Sequence, residues 1–276
     1  MAVSVQSKTD PVFSTAKTVT VTKPTGLTVG DLMIAQMVCQ FSATVTTPSG
    51  WTILSDTQAN NYKQVIMYKI ASSSDVSASD FTFDITHGGG ALNIACGILR
   101  ISDFPSAMPV YAYDTETANT GTGTVTYSTI GMTPLGDSLI IMGIVGSDSG
   151  VTNISSYSIA TSSPTFTEAW DVVIATGVPA SIALAYGVRP QNTSTGDATI
   201  TGFGTGGQRS CCALVSVPQS KDVTPTETLN TADNNIMDYG LNIYDTVLST
   251  DDKVLLKNKP WTNSVKSNST WTNQEK

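Results

Sequence analysis

The sequence predicts an all-β protein: an internally duplicated, antiparallel β-sandwich of jelly-roll character, followed by an extended C-terminal arm. Composition is the first observation behind this prediction, because 40% of the 276 residues are hydrophobic, only 13% are charged, and 22 are Gly. This balance favours strands and turns, since Val and Thr suit the pleated sheet and Gly interrupts it. The second observation is a repeated order of landmarks, and the third is a change of character after Pro218.

The repeated landmarks lie about a hundred residues apart and follow the same order in both halves. A Gly-Asp pair leads into an apolar strand at residues 30–38 and again at residues 136–145. A Gly-rich turn then leads into a second apolar strand at 87–101 and again at 204–217. These matches favour a duplicated β unit, with chance similarity between simple strand sequences as the alternative.

The two half-repeats, at about 15–104 and 110–218, make up a predicted core of residues 1–218. The first half begins with an alternating stretch at 17–22, and a second one follows at 81–85. Alternation with a period of two indicates strands that have one apolar face. Because the bridge between the halves is short, we expect them to pack as one sandwich rather than as flexible beads.

The segment 219–276 is polar and aperiodic, so it is predicted to be an arm that is either disordered or ordered by a partner. Its end contains Trp-Thr-Asn twice, ten residues apart. Two Trp residues in a hydrophilic segment are typical anchors for interface pockets, with a sticky disordered tail as the alternative. The predicted interface residues are Trp261, Thr262, Asn263, Trp271, Thr272 and Asn273.

Charge and hydropathy exclude several classes of partner. The formal net charge of −8 disfavours a surface that neutralises phosphates, so we expect no nucleic-acid partner. No apolar run approaches the roughly 20 residues that span a bilayer, so we expect no membrane partner. The N-terminus lacks the apolar stretch of a secretory signal, which predicts synthesis in a cytoplasm without export by that route.

The four cysteines match no zinc or redox spacing. Cys39, Cys96, Cys211 and Cys212 are therefore expected to be buried free thiols, as is usual for a cytoplasmic protein. A disulfide between Cys96 and Cys212, which are equivalent positions of the repeat, is the minor alternative.

The sequence predicts no catalytic residue, no metal site and no cofactor, and hence no enzyme. His87 is the only histidine and precedes three glycines, where a solvated turn residue is the expected role. Glu168 and Asp171 flank Trp170, a grouping that suits either a sugar site or an ordinary strand edge.

Several motifs together resemble β-rich structural proteins of tailed bacteriophage virions. They are the Pro-x-Gly-x-x-x-Gly-Asp-Leu segment at 24–32, Pro-Ser-Gly-Trp-Thr at 48–52, the strand end at 68–71 and the second Gly-Asp pair at 136–137. The Trp-Thr-Asn repeat is similar to the tails of some phage structural proteins. The resemblance covers roughly residues 15–218, and it implies a capsid-decoration, head-fibre, neck or tail-associated protein without deciding among them.

The resemblance implies a non-enzymatic virion protein that decorates or connects parts of the particle through subunit contacts and its arm. Other virion proteins and further copies of the chain are the implied partners, so a homo-oligomer is expected. The implied location is the outer surface of the virion, after synthesis in the host cytoplasm, and an acidic chain suits that surface better than the genome side.

The residues also leave open a carbohydrate-binding β-sandwich that attaches to a host cell surface. Exposed aromatic rings beside hydrogen-bonding groups are what such a module presents to a glycan. The candidate glycan-binding residues are Trp51, Trp170 and Asp171. Burial of the two Trp side chains in a core is the competing expectation.

Overall fold

A computed structural model gives the structure of the protein. The chain divides into two units, Met1–Thr228 and Leu229–Lys276, and the described residues belong to the first. The structure describes residues 3–40, 43–59, 62–87, 93–107, 109–110, 112–120, 123–127, 131–132, 134, 137–147, 156–159, 164–174, 180–189, 195–203 and 208–219.

Nearly all regular structure in these ranges is β-strand. The first half consists of β1 Ser4–Ser14, β2 Thr18–Thr22, β3 Leu32–Gln40, β4 Thr44–Thr46, β5 Thr52–Ala59, β6 Tyr62–Ile70, helix α1 Ser73–Ser77, β7 Asp80–Thr86 and β8 Ile94–Ser102. The second half consists of β9 Ala112–Thr120, β10 Gly123–Tyr127, β11 Ser138–Ser147, β12 Ser156–Ile159, β13 Thr167–Ile174, β14 Ala180–Arg189, β15 Ala198–Phe203 and β16 Gln208–Pro218.

The strands of each half form one five-stranded and one three-stranded antiparallel sheet. The orders are β1-β8-β3-β6-β5 and β2-β7-β4 in the first half, and β9-β16-β11-β14-β13 and β10-β15-β12 in the second. Each strand of the second half therefore occupies the place of the strand eight earlier. This repeated topology is what internal duplication would produce, although a common origin of the two halves stays a prediction.

A β-bulge also recurs at the same place in both halves. The pairing of β5 with β6 shifts register between Ile53 and Ser55, and that of β13 with β14 shifts between Glu168 and Trp170. A bulge opposes two residues to one and turns the side chains that follow it to the other face of the sheet. The bulge thus decides which residues of β5 and β13 point into the protein.

The pairings follow a jelly-roll order only in part. Strand β1 pairs with β8, β2 with β7 and β3 with β6, which is the nested order of pairs found in a jelly roll. In each half, however, the fifth strand pairs with the sixth and joins the larger sheet. The predicted antiparallel β-sandwich is confirmed, and the jelly-roll order is incomplete in both halves.

Three hydrophobic cores separate the four sheets. The central core lies between the two five-stranded sheets, and an outer core lies between each five-stranded sheet and its three-stranded partner. The middle strands of the larger sheets are therefore covered on both faces, and every residue of β3 is buried. Burial on both faces explains why β3 reads as a nearly continuous apolar run rather than an alternating one.

The two five-stranded sheets contact each other along both sides of the central core. Strand β1 contacts β13, and β5 contacts β9. In the repeat, β13 is equivalent to β5 and β9 is equivalent to β1. On each side of the central core, the first strand of one half therefore contacts the fifth strand of the other half. The middle of the interface is not symmetric in this way, because β6 contacts β11 and β5 contacts β16 more extensively than the equivalent strands β14 and β13 contact β3 and β8.

Candidate functional site

Trp51, a predicted glycan-binding residue, lies in the first outer core. The turn 48–50 delivers it to the start of β5, and only 7% of its surface is exposed. Its ring packs edge-on against Phe81 at 6.0 Å and Phe83 at 5.3 Å between centroids. The prediction of Trp51 as a glycan platform is therefore wrong, because a ring enclosed by two Phe rings cannot stack on a sugar.

Trp170 is buried as well, in the central core, with 3% of its surface exposed. Its Nε1 donates a hydrogen bond of 2.8 Å to Oε1 of Gln36, on the opposing sheet. Trp170 therefore belongs to the contact between the two halves and not to a sugar-binding surface, which corrects that prediction. The bulge in β13 causes this placement, because it turns both Ala169 and Trp170 toward the core.

Asp171, the third predicted glycan-binding residue, is half-buried beside β14 and accepts a hydrogen bond of 3.3 Å from Ser181 Oγ. Burial raises the pKa of Tyr157, and the nearby carboxylates of Glu168 and Asp171 raise this pKa further. The phenol of Tyr157 therefore stays protonated at physiological pH and is available only as a neutral hydrogen-bonding group. With its neighbouring tryptophan buried, Asp171 has no exposed aromatic partner at position 170.

The predicted interface residues of the arm, Trp261, Thr262, Asn263, Trp271, Thr272 and Asn273, lie outside the described residues. The described chain ends at Gln219. Its backbone N–H donates a hydrogen bond of 2.8 Å to the carbonyl oxygen of Asp137, just before β11. This bond fixes the point from which the segment 220–276 continues.

The outer surface of the first three-stranded sheet is a regular polar face that the sequence analysis did not single out. All outward-facing residues of β2, β4 and β7 are exposed and are either Thr or Asp. We call this surface the hydroxyl face: Thr18, Thr20, Thr22, Thr44, Thr46, Asp80, Thr82, Asp84 and Thr86. Its signal in the sequence is the Thr-Val-Thr pattern of β2 and β4, in which Val enters the core and Thr faces solvent.

Hydrogen bonds tie neighbouring strands together across the hydroxyl face. Thr18 Oγ1 donates to Asp84 Oδ1 at 2.8 Å, and the hydroxyl oxygens of Thr20 and Thr82 are 3.3 Å apart. Neighbouring side chains repeat at about 4.8 Å across the strands and about 6.6 Å along them. The face can therefore offer an ordered set of donors and acceptors to a polar partner, with Asp80 and Asp84 as its only charges.

The Gly-Asp motif of the first half has a structural role. Gly30 has a φ of +92°, a left-handed conformation that Gly adopts without strain. The carboxylate of Asp31 accepts hydrogen bonds from Thr28 N at 2.7 Å and from Arg100 Nε at 2.6 Å. Asp31 thus closes the turn and binds it to β8, which explains why this pair precedes a buried strand.

All four cysteines are free and buried, as predicted. Burial raises the pKa of the Cys39 and Cys211 thiols to about 12, and it also raises the pKa of Cys96. Cys96 and Cys212 lie in different outer cores. Thiols that stay protonated and enclosed are neither nucleophiles nor metal ligands at physiological pH.

Within the part of the chain that the structure describes, no group of three or more His, Cys, Asp or Glu side chains is placed to hold a metal ion. The backbone carbonyl of His87 accepts a hydrogen bond of 2.7 Å from Lys17 Nζ. None of the helices in the described ranges has the length and hydropathy needed to cross a membrane.

The chain was compared with protein-family models, curated protein sequences and solved structures, and it matches none of them. The class of protein is therefore defined by the fold alone: an all-β protein of four stacked antiparallel sheets.

Proposed function

We propose that the protein is a non-enzymatic structural component of a tailed-bacteriophage particle, which decorates or connects parts of that particle. The observation that supports this proposal best is the fold. Two sandwiches whose strand pairings follow a jelly-roll order in part are stacked into one unit, and jelly-roll sandwiches recur in viral capsid proteins. This is an argument from fold-level analogy, and it agrees with the motifs that resemble phage structural proteins.

The stacked sheets suit a structural role in a particle. The apolar side chains of β3, at the middle of the first larger sheet, are enclosed on both faces, and the hydroxyl face is polar throughout. A surface without a large apolar patch keeps a protein from associating through that surface unspecifically. We propose that the segment 219–276 makes the contacts with neighbouring subunits.

In this proposal Trp261 and Trp271 insert into pockets of neighbouring subunits, flanked by the hydrogen-bonding groups of Thr262, Asn263, Thr272 and Asn273. A large aromatic side chain buries much apolar surface at a low cost in conformational entropy. Anchoring of Gln219 to Asp137 gives the segment a fixed origin. The neighbours are other virion proteins and further copies of this chain, on the outer surface of a particle assembled in the host cytoplasm.

The test is the molar mass of the full chain in solution, measured by light scattering after size exclusion. We expect a defined oligomer for the natural sequence and a smaller species for W261A/W271A, because the anchors are lost. The matched control is N268A/T270A, which changes polar residues of the same segment and should leave the mass unchanged. Equal masses for all three proteins would refute assembly of copies through these anchors.

A second candidate function is binding of a host-surface glycan, and the hydroxyl face is the observation that favours it. Its ordered Thr and Asp side chains can exchange hydrogen bonds with sugar hydroxyls, although the predicted Trp residues cannot contribute. Binding of the full chain to a glycan array tests this role. Signal that disappears in T20K/T82K, which places two bulky cations on the face, would support it, and absence of any signal would exclude it from consideration.

A further inference from the structure

A network of buried polar side chains lies in the middle of the otherwise apolar central core. Gln36 and Gln64, from neighbouring strands of the first half, are both fully buried. Gln36 Nε2 donates to Gln64 Oε1 at 2.9 Å, and Gln36 Oε1 accepts from Trp170 Nε1 at 2.8 Å. The first half therefore contributes two amides, and the second half contributes an indole.

The two amides also bind the backbone of the opposing sheet. Gln36 Nε2 lies 3.2 Å from the carbonyl oxygen of Ile144 and 3.0 Å from that of Ala183. Gln64 Nε2 donates to the carbonyl oxygen of Gly143 at 3.2 Å. Both amide groups and the indole N–H thus have partners, as buried polar groups must if they are not to destabilise the fold.

Gly143 provides the space that this network occupies. A Cβ atom at Gly143 would lie 2.7 Å from Ile66 Cδ1 and 3.2 Å from Gln36 Nε2. Any larger residue would therefore displace the amide of Gln36 or the end of Ile66. The glycine is required here for close approach of the opposing sheet and not for a left-handed backbone conformation.

The network is asymmetric although the two halves have the same topology. Strands β3 and β11 present Leu32, Ile34 and Val38, and Leu139, Ile141 and Val145, to the central core. The position between the last two of these residues also faces the central core, and it is occupied by Gln36 in β3 and by Gly143 in β11. By the pairing registers, Gln64 corresponds to Ile182, and Ser55 corresponds to Trp170.

We infer that this network makes the central interface selective for unlike halves: the five-stranded face of a first half fits only that of a second half. Two first halves placed face to face would bury four amide side chains with neither an indole donor nor a glycine gap. Two second halves would bury two indole N–H groups without the Gln36 acceptor and would oppose two glycines across a void. Buried polar groups without partners and unfilled space both disfavour such pairs.

This selectivity limits how copies of the chain can associate through their halves, whether or not the protein belongs to a virion. A second copy of the chain can supply a second half to pair with a first half at this interface, but two first halves or two second halves cannot pair there. Any exchange of halves between copies would therefore place a first half against a second half, either reciprocally in a swapped dimer or successively in a longer assembly.

The experiment starts from the full-length protein with a protease site inserted between Ser106 and Ala107, which is cut after folding. The two pieces are unfolded, mixed, refolded and analysed by native mass spectrometry. The test variant is Q36L/Q64L/W170F, which replaces the whole network by apolar groups and leaves no polar atom unpaired. The matched control is I34V/I141V/I182V, with three conservative changes in the same core outside the network.

For the natural sequence and the control, we expect only complexes that contain one first half and one second half. For Q36L/Q64L/W170F, we expect like-with-like complexes to appear and to approach half of all complexes, the share that random pairing gives, because apolar faces no longer distinguish their partners. Like-with-like complexes, or no complexes at all, from the natural sequence would overturn the inference. So would a test variant that stays as selective as the natural protein.

Discussion

Substitution of Gly143 by Ala tests the packing of the central core most directly. The new methyl group would stand 2.7 Å from Ile66 Cδ1, closer than real contacts allow, and 3.2 Å from Gln36 Nε2. Forcing an extra carbon into a well-packed core costs about 1–3 kcal/mol. The lower backbone entropy of Ala in the unfolded chain offsets about 0.4–1 kcal/mol of this. We therefore expect a net loss of about 1–2 kcal/mol.

The clash also predicts a specific rescue. Ile66→Val removes Cδ1, the atom nearest to the new methyl group, and alone it should cost about 0.5–1.5 kcal/mol. In the double variant G143A/I66V the added carbon occupies the space left by the deleted one. We expect this variant to be more stable than the sum of the single changes by about 1 kcal/mol, well beyond the 0.3–0.5 kcal/mol scatter of independent sites.

The assay is thermal and urea unfolding of the full chain, followed by Trp fluorescence and circular dichroism. A net loss of about 1–2 kcal/mol corresponds to a fall of about 2–8 °C in Tm for a domain of this size. Gly131→Ala is the control, because its Cβ would meet nothing closer than 3.6 Å. The reasoning is refuted if G143A matches the natural protein, or if the G143A and I66V effects simply add.

Three further outcomes are expected. Trp170→Phe should cost about 1–3 kcal/mol, measured by urea unfolding, because Gln36 Oε1 loses its donor while staying buried; an unchanged midpoint would contradict the network. Burial tends to raise the pKa of Asp75, but hydrogen bonds from Lys69 and Ser72 lower it overall. The folded protein therefore gains stability from Asp75 above its ordinary pKa and loses that gain as pH falls through the lowered value, so unfolding of D75N should depend less on pH below about 4. Finally, the four buried cysteines should not react with a thiol reagent at pH 8 until the chain is unfolded, and rapid labelling of the native protein would contradict their burial.

Local patterns in the sequence predict the outer strands well. Alternation at 81–85 indicates one apolar face, and in β7 the side chains of Phe81, Phe83 and Ile85 are buried while Thr82 and its alternating neighbours are exposed. The prediction works because β7 has one face in a core and one in solvent, so a period of two records its surroundings directly.

The inner strands carry less information about their neighbours. A continuous apolar run such as β3 indicates burial on both faces, but it does not say which sheet covers each face. The partner sheet comes from the other half of the chain, more than a hundred residues away for the contact between Gln36 and Ala183. The only signal of the network is a Gln within each of two apolar strands, and a buried amide needs a partner that the sequence does not identify.

The candidate site also contains residues whose placement the sequence predicts and residues whose placement it does not. Residue type alone does not distinguish a Trp that stacks on a sugar from one that fills a core, because both uses depend on its large ring. For Trp170 the outcome is set by the bulge in β13, and the sequence contains no Gly or Pro at that point to indicate a bulge. The hydroxyl face, in contrast, could have been found from the Thr-Val-Thr alternation of β2.

The central core also indicates what a single chain achieves that a symmetric dimer could not. Two identical subunits related by a two-fold axis must place the same residue at both equivalent positions of their interface. Here the equivalent positions hold Gln36 and Gly143, and the amide of Gln36 occupies the space that a side chain at Gly143 would need. A pair of Gln residues would collide and a pair of Gly residues would leave a void, so this complementarity is available only when the two halves have different sequences. Joining two similar sandwiches in one chain therefore allows unlike residues, here Gln36 and Gly143, to occupy positions that exact symmetry would fill with the same residue.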